Sequence, residues 1–363
     1  MVLVGRMNES AASAAEHLLR AAIERRIFPG AVAEVGSSRQ ILWQASFGCL
    51  SFDEGANATR PDTLYDLASL TKPIATTSVA LKLEAEGRLA LDTRVSEMIS
   101  DWSGADRSMV TVRHLLEHSS GLSARLIDHP PQQRRAFVHD ICSIALEYVP
   151  GTRSIYSDLG FILLGFCCEQ RGQTDLAAQV RSILELLRPA PDAELLVTVP
   201  PDDRTRTAPT RPLAEDDRRG RRLTGEVHDN YAAALGGFAG HAGLFGTARG
   251  VGQFAQTILA AARGNLAGPP PFTAADVQRS IIKSAVPGSS RALGWDTMLP
   301  TSSCGSRLST SAFGHVGFTG TSLWIDPMLD RYFVLLTNRV CDGGTSEEMQ
   351  QVRRAFHDAL ASL

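Results

Sequence analysis

The chain reads Ser322-Leu-Trp-Ile325, then Asp326-Pro-Met-Leu-Asp330, then Tyr332-Phe-Val-Leu-Leu-Thr337 towards its C-terminal end. The two apolar runs are rich in aromatic and β-branched or other apolar residues, as strands are, and a turn-forming segment separates them. The segment Phe313–Phe318 has the same character just upstream. This part of the sequence therefore predicts three strands in succession.

Both ends of the chain supply pieces of a sheet and its covering helices. Thr345 and Glu348 form a capping box ahead of an apolar stripe, which predicts a closing helix. Near the other end, Ala31–Val35 and Gln40–Phe47 flank Gly36-Ser-Ser-Arg39 and predict a β-hairpin, with a helix before it. Strands at both ends with a long gap between them imply one sheet built from both ends.

The middle of the chain has helical spacing. Apolar periodicity predicts helices over 74–86, 112–117, 160–170, 176–187 and 251–263. The Pro-, Asp- and Arg-rich segment Arg188–Arg222 predicts a long surface excursion. We therefore predict a mixed α/β fold of the α+β type, an antiparallel sheet flanked by the N- and C-terminal helices. The predicted sheet domain comprises 1–65 and 270–363, and the inserted all-helical domain comprises 66–269.

Composition excludes several classes of protein. The chain has 363 residues, 44% of them hydrophobic and 21% charged, with a net charge of −3, as expected of a globular protein that does not bind nucleic acid. No apolar run approaches the roughly 18 residues of a membrane span, and the first residues lack the apolar core of a signal peptide. The 6 dispersed cysteines lack C-x-x-C spacing and favour buried thiols. We therefore expect a cytoplasmic protein that does not enter a membrane.

Ser69-Leu-Thr-Lys72 is the first candidate for chemistry. A spacing of three places the hydroxyl and the ammonium on one face of a helix. A serine hydroxyl becomes a nucleophile when a base takes its proton, and a desolvated lysine can be that base. Pro73 predicts that the tetrad lies in the first helical turn, where proline is tolerated. A second S-x-x-K tetrad, Ser280 to Lys283, lacks this context and is interpreted as an exposed helical turn.

Two further segments carry groups that suit this chemistry. Tyr156 and Asp158 follow the turn at Pro150-Gly151 and precede an apolar helix, and a phenol near a lysine ammonium can relay protons. The segment Gly314-His315-Val316-Gly317-Phe318 is a strand with closely spaced glycines, where a backbone can approach a ligand and donate N–H groups. Taken singly, such a tyrosine or histidine is more often part of the core.

Taken in order, Ser69-x-x-Lys72, Tyr156-Ser-Asp158 and His315-Val-Gly317 resemble the three site elements of the serine β-lactamase-like family. That family includes class C β-lactamases, D-alanyl-D-alanine carboxypeptidases and the family VIII carboxylesterases of the same fold. The resemblance covers the chain from about Pro29 to Arg339. Each motif is weak alone, and their ordered combination is specific.

The resemblance implies a β-lactamase/transpeptidase-like fold with the site between the sheet and the helical part. It implies that Ser69 is the acylated nucleophile and Lys72 its proton acceptor. Tyr156 would be the acid and base that serves the leaving group and later activates water. The backbone N–H groups of Ser69 and Phe318 would form the oxyanion hole.

The residues expected to line the substrate site are Asp158, His315 and Gly317, and two of them depart from the family pattern. Asp158 stands where the family commonly has asparagine, so a buried carboxylate there would pair with Lys72 and oppose its deprotonation. His315 replaces a lysine and so removes a permanent cation for a substrate carboxylate. We therefore expect a serine hydrolase that forms an acyl-enzyme, a carboxylesterase on small acyl esters. An amidase or peptidase on cell-wall fragments, or a weak β-lactamase, is the alternative within the fold.

Two hypotheses from other classes stay open. His114-Leu-Leu-Glu117-His118 matches the H-x-x-E-H signature of a zinc hydrolase, in which two histidines one helical turn apart bind the metal. No third ligand is identifiable in the sequence, so we expect neither a metal nor a cofactor. The other hypothesis is a catalytically silent binding protein that kept the fold. The expected partner is a small-molecule ester or amide, and the sequence leaves the oligomeric state open.

Overall fold

A computed structural model describes residues 9–126, 131–187, 190–265 and 272–363. Its strands in chain order are β1 (Gly30–Gly36), β2 (Ile41–Gly48), β3 (Tyr65–Asp66), β4 (Leu195–Leu196), β5 (Phe245–Gly246), β6 (Asp296–Thr297), β7 (Phe313–Val316), β8 (Ser322–Asp326) and β9 (Arg331–Thr337). Its α-helices are α1 (Glu9–Glu24), α2 (Ser78–Ala85), α3 (Val112–Leu116), α4 (Arg134–Ser143), α5 (Asp158–Gly172), α6 (Leu176–Leu186), α7 (Asn230–Ala234), α8 (Ala248–Ala262), α9 (Ala274–Ser280) and α10 (Ser346–Leu360).

The main sheet is antiparallel and joins the two ends of the chain. Its strand order is β2-β1-β9-β8-β7-β6. β1 pairs with β2 on one side and with β9 on the other, so the N-terminal hairpin extends the C-terminal strands. A second, small sheet has the order β3-β5-β4, and its strand β3 comes just before the segment that carries Ser69.

Alternate residues of the central strands face two different helical layers. Val35, Phe333 and Leu335 share a core with apolar residues of α1 and α10. Val32 and Val334 share a core with apolar residues of α8. Burial of side chains of this size is worth roughly 1.5–3 kcal/mol each, and a slip by one residue would exchange the two faces, so the register is fixed by burial.

Helix α5 is the centre of the helical part. The ten residues Leu159–Cys168 are all buried, and α5 packs against α2, α3, α4 and α6. A helix that is apolar on all sides needs such a surround. Because its first turn is held by these contacts, the residues just before it have a rigid support.

The predicted mixed fold, an antiparallel sheet flanked by the N- and C-terminal helices, is confirmed, and α1 and α10 pack together on one face of that sheet. The predicted strands of β1, β2, β7, β8 and β9 are present, and the Thr345–Glu348 capping box starts α10. The strands β3 to β6 and the helices α4, α7 and α9 are additions that the sequence analysis did not predict. The boundaries of the two domains stay a prediction. Helix α8 lies within 66–269, the predicted helical domain, and packs on strands β1 and β9 of the main sheet.

The segment Arg188–Arg222 contains β4 and a 3-10 turn at Pro201–Arg206, while Arg188 and Pro189 lie outside the described residues. All 6 cysteines lie in the described part and are unpaired. Within the four described ranges, no helix has the length and apolar character to cross a bilayer.

Candidate active site

A strained turn presents Ser69 at the start of a helical segment. Ala68 has φ +48°, in the left-handed region, and its N–H donates to Asp66 Oδ1 at 2.8 Å. A 3-10 turn at Ala68–Leu70 leads into a π-type helical segment at Lys72–Thr77, with Pro73 in its first turn as predicted. Non-glycine residues in the left-handed region cluster at functional sites, and so do short π-type segments.

Three side chains meet at Ser69. Lys72 Nζ lies 3.0 Å from Ser69 Oγ, and the Tyr156 hydroxyl lies 2.7 Å from the same oxygen. The Lys72 ammonium also lies 4.7 Å from the centre of the Tyr156 ring. The structure therefore brings the alcohol, the amine and the phenol into contact, from segments separated by 87 residues.

Tyr156 is held from behind by the start of α5 and by His118. Ser157 caps α5, since its Oγ accepts the Gly160 N–H at 3.1 Å. The Ser157 N–H donates to His118 Nδ1 at 3.0 Å, and the His118 ring packs 4.6 Å from the Tyr156 ring. Burial raises the pKa of Tyr156, so the group is a neutral phenol near neutral pH.

Asp158 forms a buried ion pair with Lys72. Its Oδ1 lies 2.8 Å from Lys72 Nζ, and the Lys72 side chain has no exposed surface. Burial, the largest single cause, disfavours the ammonium, but the Asp158 charge, Tyr156 and the hydrogen bonds to both groups together outweigh burial and raise the pKa of Lys72. Likewise, burial acts to raise the pKa of Asp158 and the Lys72 charge lowers it. The carboxylate therefore holds Lys72 as an ammonium, as expected for a buried aspartate at this position.

Arg125, Asp229 and His241 form a network of polar contacts around this ion pair. Arg125 Nη1 lies 3.0 Å from Asp158 Oδ2 and 2.9 Å from Asp229 Oδ2. Asp229 Oδ1 lies 2.7 Å from His241 Nε2, and the His241 carbonyl accepts from Lys72 Nζ at 3.1 Å. Burial opposes the charge of Asp229, but His241 and Arg125 lower its pKa well below the usual range. Two aspartates, Asp158 and Asp229, thus face two cations, Lys72 and Arg125.

The end of β7 passes directly against the Ser69 turn. Thr321 Oγ1 donates to the Leu67 carbonyl at 3.0 Å and Thr319 Oγ1 to the Asp66 carbonyl at 2.8 Å. A Cβ on Gly317 would lie 2.6 Å from the Leu67 carbonyl oxygen, so only glycine fits. The Phe318 N–H donates to no acceptor in the described part of the chain. Phe318 and Ser69 line the same cavity, so this N–H is available to a ligand bound there.

His315 is a neutral imidazole inside the site. Its side chain is buried, and its Nδ1 lies 2.9 Å from the Val316 carbonyl. Burial, with the nearby charges of Lys72 and Arg291, lowers its pKa well below the usual range. His315 therefore does not supply the permanent cation of the lysine that it replaces in the family pattern.

One cavity of about 510 Å³ connects these groups. Its size is that of a site for a small molecule. Its polar and charged lining residues are Ser69, Arg125, Tyr156, Asp158, Glu215, His228, Asp229, His241, Arg291, Asp296, His315, Arg339, Ser346 and Arg353. Gly317 and Phe318 line it too, so every residue predicted for the site except the buried Lys72 reaches this cavity.

The motifs of the rival hypotheses lie elsewhere or in other roles. The second tetrad is exposed only in part: Ser280 is buried at the end of α9, where its Oγ donates to the Val277 carbonyl at 2.8 Å, whereas Lys283 is exposed at a different cavity. In the H-x-x-E-H segment, α3 ends at Leu116, so His118 does not continue the helix. Across 9–126 and the other described ranges, no group of three or more His, Cys, Asp or Glu residues is arranged to hold a metal.

The sequence analysis did not identify four residues as part of the site, namely Arg125, Asp229, His241 and Arg291. No local motif marks Arg125 or Arg291. His241 lies in the glycine-rich segment Gly236–Phe245, and its contact with Lys72 comes from the backbone carbonyl. A backbone contact leaves no residue-type signal in a sequence.

Comparison with known proteins defines the family. The family model described as Beta-lactamase matches residues 15–356. The chain therefore belongs to the β-lactamase family of serine hydrolases, and the resemblance inferred from its motifs is confirmed.

Individual relatives differ in the reactions that their names describe. The N-acetylmuramyl-L-alanine amidase of Bacillus subtilis (strain 168) is 29% identical in an alignment that covers 87% of this chain and 79% of that protein. A protein of Escherichia coli (strain K12) with the provisional name D-alanyl-D-alanine carboxypeptidase is 29% identical in an alignment that covers 86% of this chain and 79% of that protein. The solved structure of EstCE1, a hydrolase with promiscuous acyltransferase activity, matches with a TM-score of 0.75 at 20% identity, covering 96% and 99%. At that identity the last match shows the fold alone.

Proposed function

We propose that the protein hydrolyses small acyl esters as a carboxylesterase, through an acyl-enzyme on Ser69. The observation that supports this proposal is the contact of Ser69 Oγ with both Lys72 Nζ, at 3.0 Å, and the Tyr156 hydroxyl, at 2.7 Å. Acyl transfer needs a nucleophile with a proton acceptor and a proton donor in hydrogen-bond reach. The small-molecule cavity around them is the proposed substrate site.

The first half of the reaction forms the acyl-enzyme. Ser69 Oγ bonds to the carbonyl carbon while its proton moves to Lys72 Nζ, and the N–H groups of Ser69 and Phe318 hold the oxyanion. The bond to the alcohol breaks as Tyr156 gives its proton to the leaving oxygen, and Lys72 returns a proton to Tyr156. In the second half, water bonds to the acyl carbon and passes a proton through Tyr156 to Lys72. The bond between the acyl carbon and Ser69 Oγ then breaks as Lys72 returns the proton to Ser69 Oγ, and the carboxylic acid is released.

Asp158 affects the pH at which the first step of this reaction can occur. Lys72 accepts a proton only as a free amine, and the Asp158 carboxylate raises its pKa despite burial. The rate is therefore expected to rise as the pH rises above neutrality.

Amide substrates are the second candidate. The names of the Bacillus subtilis and Escherichia coli relatives describe amide-bond hydrolysis of cell-wall compounds. The same acyl-enzyme chemistry cleaves an amide when the leaving nitrogen receives the Tyr156 proton. We propose a cytoplasmic site of action for either substrate, in line with the free thiols of the chain.

Hydrolysis of p-nitrophenyl acetate by matched serine variants tests the proposal. Ser69→Ala should abolish turnover, whereas Ser280→Ala, in the second tetrad, should leave it unchanged. Substantial turnover by folded Ser69→Ala would refute the nucleophile. Activity that a chelator removes would instead favour the zinc hypothesis. Comparing ester with acyl-peptide amide substrates then separates the two candidate reactions.

A further inference from the structure

His118 is the second histidine of the H-x-x-E-H segment, and it lies just after α3, behind Tyr156. The residue is buried, and its ring centre lies 4.6 Å from that of Tyr156 and 5.0 Å from that of Phe161. The described residues that line the cavity around Ser69 do not include His118. An effect of His118 on the reaction therefore has to pass through its neighbours.

Tyr156 needs support because its own segment has no regular structure. In the described chain, residues 153–157 belong to no helix or strand, and α5 begins at Asp158. The Tyr156 hydroxyl nevertheless lies 2.7 Å from Ser69 Oγ. A displacement of about 1 Å at a reacting centre can lower a rate about 10²-fold, so small movements of this segment matter.

His118 holds the backbone on both sides of Tyr156. The Ile155 N–H donates to the His118 carbonyl at 2.9 Å, and the Ser157 N–H donates to His118 Nδ1 at 3.0 Å. The contact between the two rings adds the side chain of Tyr156 itself. One residue therefore contacts three consecutive residues, with the tyrosine in the middle.

The backbone conformation of His118 is unusual and is kept by these contacts. Its φ is +55°, in the left-handed region, where Asn, Asp and His are the side chains most often found after glycine. The His118 carbonyl accepts a second hydrogen bond, from the Tyr148 hydroxyl at 3.1 Å. Such conformations persist where the surrounding structure holds them, and they cluster at functional sites. The same contacts thus fix the turn at His118 and the segment 155–157.

The His118 ring is a neutral hydrogen-bond acceptor. Because Nδ1 accepts an N–H, the proton of the neutral ring is on Nε2. Burial, with the nearby charges of Arg291 and Lys72, lowers the pKa of His118 well below its usual range. The acceptor nitrogen is therefore retained at neutral pH.

We infer that His118 is a positioning residue, which holds the Tyr156 phenol at the Ser69 hydroxyl through one ring nitrogen, one carbonyl and one ring face. The inference rests on the proposed function because it takes Tyr156 as the proton donor to the leaving group. It gives the H-x-x-E-H segment a role in acyl transfer instead of zinc binding. Loss of the His118 side chain should therefore impair proton donation more than the other steps.

Two acetate esters test this inference because they differ in their need for a proton donor. p-Nitrophenolate leaves without a proton, whereas the more basic phenolate of phenyl acetate leaves more readily with one. The ester ratio is kcat/KM for p-nitrophenyl acetate divided by kcat/KM for phenyl acetate. His118→Gly removes the ring and tolerates the left-handed backbone, and it should raise the ester ratio at least about 10-fold. A loss of folded protein would lower both kcat/KM values equally and leave the ratio unchanged.

A conservative variant and a matched control accompany His118→Gly. His118→Asn retains an acceptor oxygen in place of Nδ1 and suits the left-handed region, so its ester ratio should lie between those of wild type and His118→Gly. His114→Ala removes the other histidine of the segment, whose Nδ1 accepts the Thr111 N–H at 3.1 Å at the start of α3, and should leave the ratio unchanged. If His118→Gly does not fold, His118→Gln, which moves the acceptor by one bond, replaces it with a rise expected in the same direction.

Tyr156→Phe, alone and combined with His118→Gly, separates this inference from the proposed function. Tyr156→Phe should raise the ester ratio, and adding His118→Gly should raise it no further, because the group that His118 positions is then absent. A raised ratio in Tyr156→Phe with a wild-type ratio in folded His118→Gly would overturn this inference alone, and so would independent rises that multiply in the double variant. A wild-type ratio in Tyr156→Phe would instead remove the proposed acid role of Tyr156, and this inference with it.

Discussion

Replacing Gly317 by alanine adds a single methyl group, which should push the end of β7 away from the turn that carries Ser69. A Cβ there would lie 2.1 Å from Thr321 Oγ1 and 2.6 Å from the Leu67 carbonyl oxygen. The first contact is a side chain that can rotate only by breaking its 3.0 Å hydrogen bond to the same Leu67 oxygen. The second is backbone just before Ser69. Gly317→Ala therefore has to move the end of β7, with the Phe318 N–H, away from Ser69.

The expected loss follows from that displacement. A shift of about 1 Å at a reacting centre can lower a rate about 10²-fold. Loss of one oxyanion donor lowers kcat by about 10²-fold to 10³-fold. We therefore expect Gly317→Ala to lower kcat by about 10²-fold or more, and to cost about 1–3 kcal/mol of unfolding free energy through overpacking.

The assay is kcat and KM for p-nitrophenyl acetate together with urea unfolding. Gly160→Ala is the matched control, because the new Cβ on α5 would meet nothing closer than 3.7 Å. A helical glycine replaced by alanine gains about 0.5–1 kcal/mol, so the control should be slightly more stable and fully active. A folded Gly317→Ala protein with the kcat of wild type would refute the close packing of β7 on the Ser69 turn as a requirement of catalysis.

Three further variants test the groups around Ser69. Tyr156→Phe removes the proton donor that contacts Ser69 Oγ and should lower kcat about 10²-fold or more with little change in KM; a rate near that of wild type would end its acid and base role. Asp158→Asn removes the charge that, against burial, raises the pKa of Lys72, so the rising limb of the kcat–pH profile should move to lower pH while turnover stays measurable. A limb that stays in place would mean that it does not report Lys72. Lys72→Ala leaves Asp158 with Arg125 as its remaining ion-pair partner among the described residues. It should lower kcat about 10²-fold and the unfolding free energy by about 1.5–3 kcal/mol, the value of hydrogen bonds to charged groups; unchanged urea unfolding would contradict the buried pair.

Elements with long apolar patterns could be predicted from sequence. β8 and β9 follow from runs of buried residues, and the capping residue Thr345 marks the start of α10. The strands β4 and β5 have two residues each, which is too short for any alternation to show. α7 has five residues and presents little more than one helical turn. These short elements form because neighbouring segments supply their partners.

The same distinction holds for the candidate site. Ser69 and Lys72 are three apart, so helical geometry alone predicts that they meet, and the order of the motifs placed Tyr156 beside them through a family resemblance. Arg125 and Asp229 are separated by 104 residues, and their ion pair exists only after the chain has folded. Arg291 faces Tyr156 for the same reason. Tertiary packing decides which charged residues pair over long distances in the chain, and residue spacing alone does not reveal that packing.

Mass spectrometry after treatment with a fluorophosphonate is the most direct measurement of the nucleophile. The account predicts one covalent adduct per chain, mapped to the peptide that contains Ser69, and absent from the Ser69→Ala protein. An adduct on a different residue of the native chain, or hydrolysis that continues in protein fully labelled at Ser69, would contradict it.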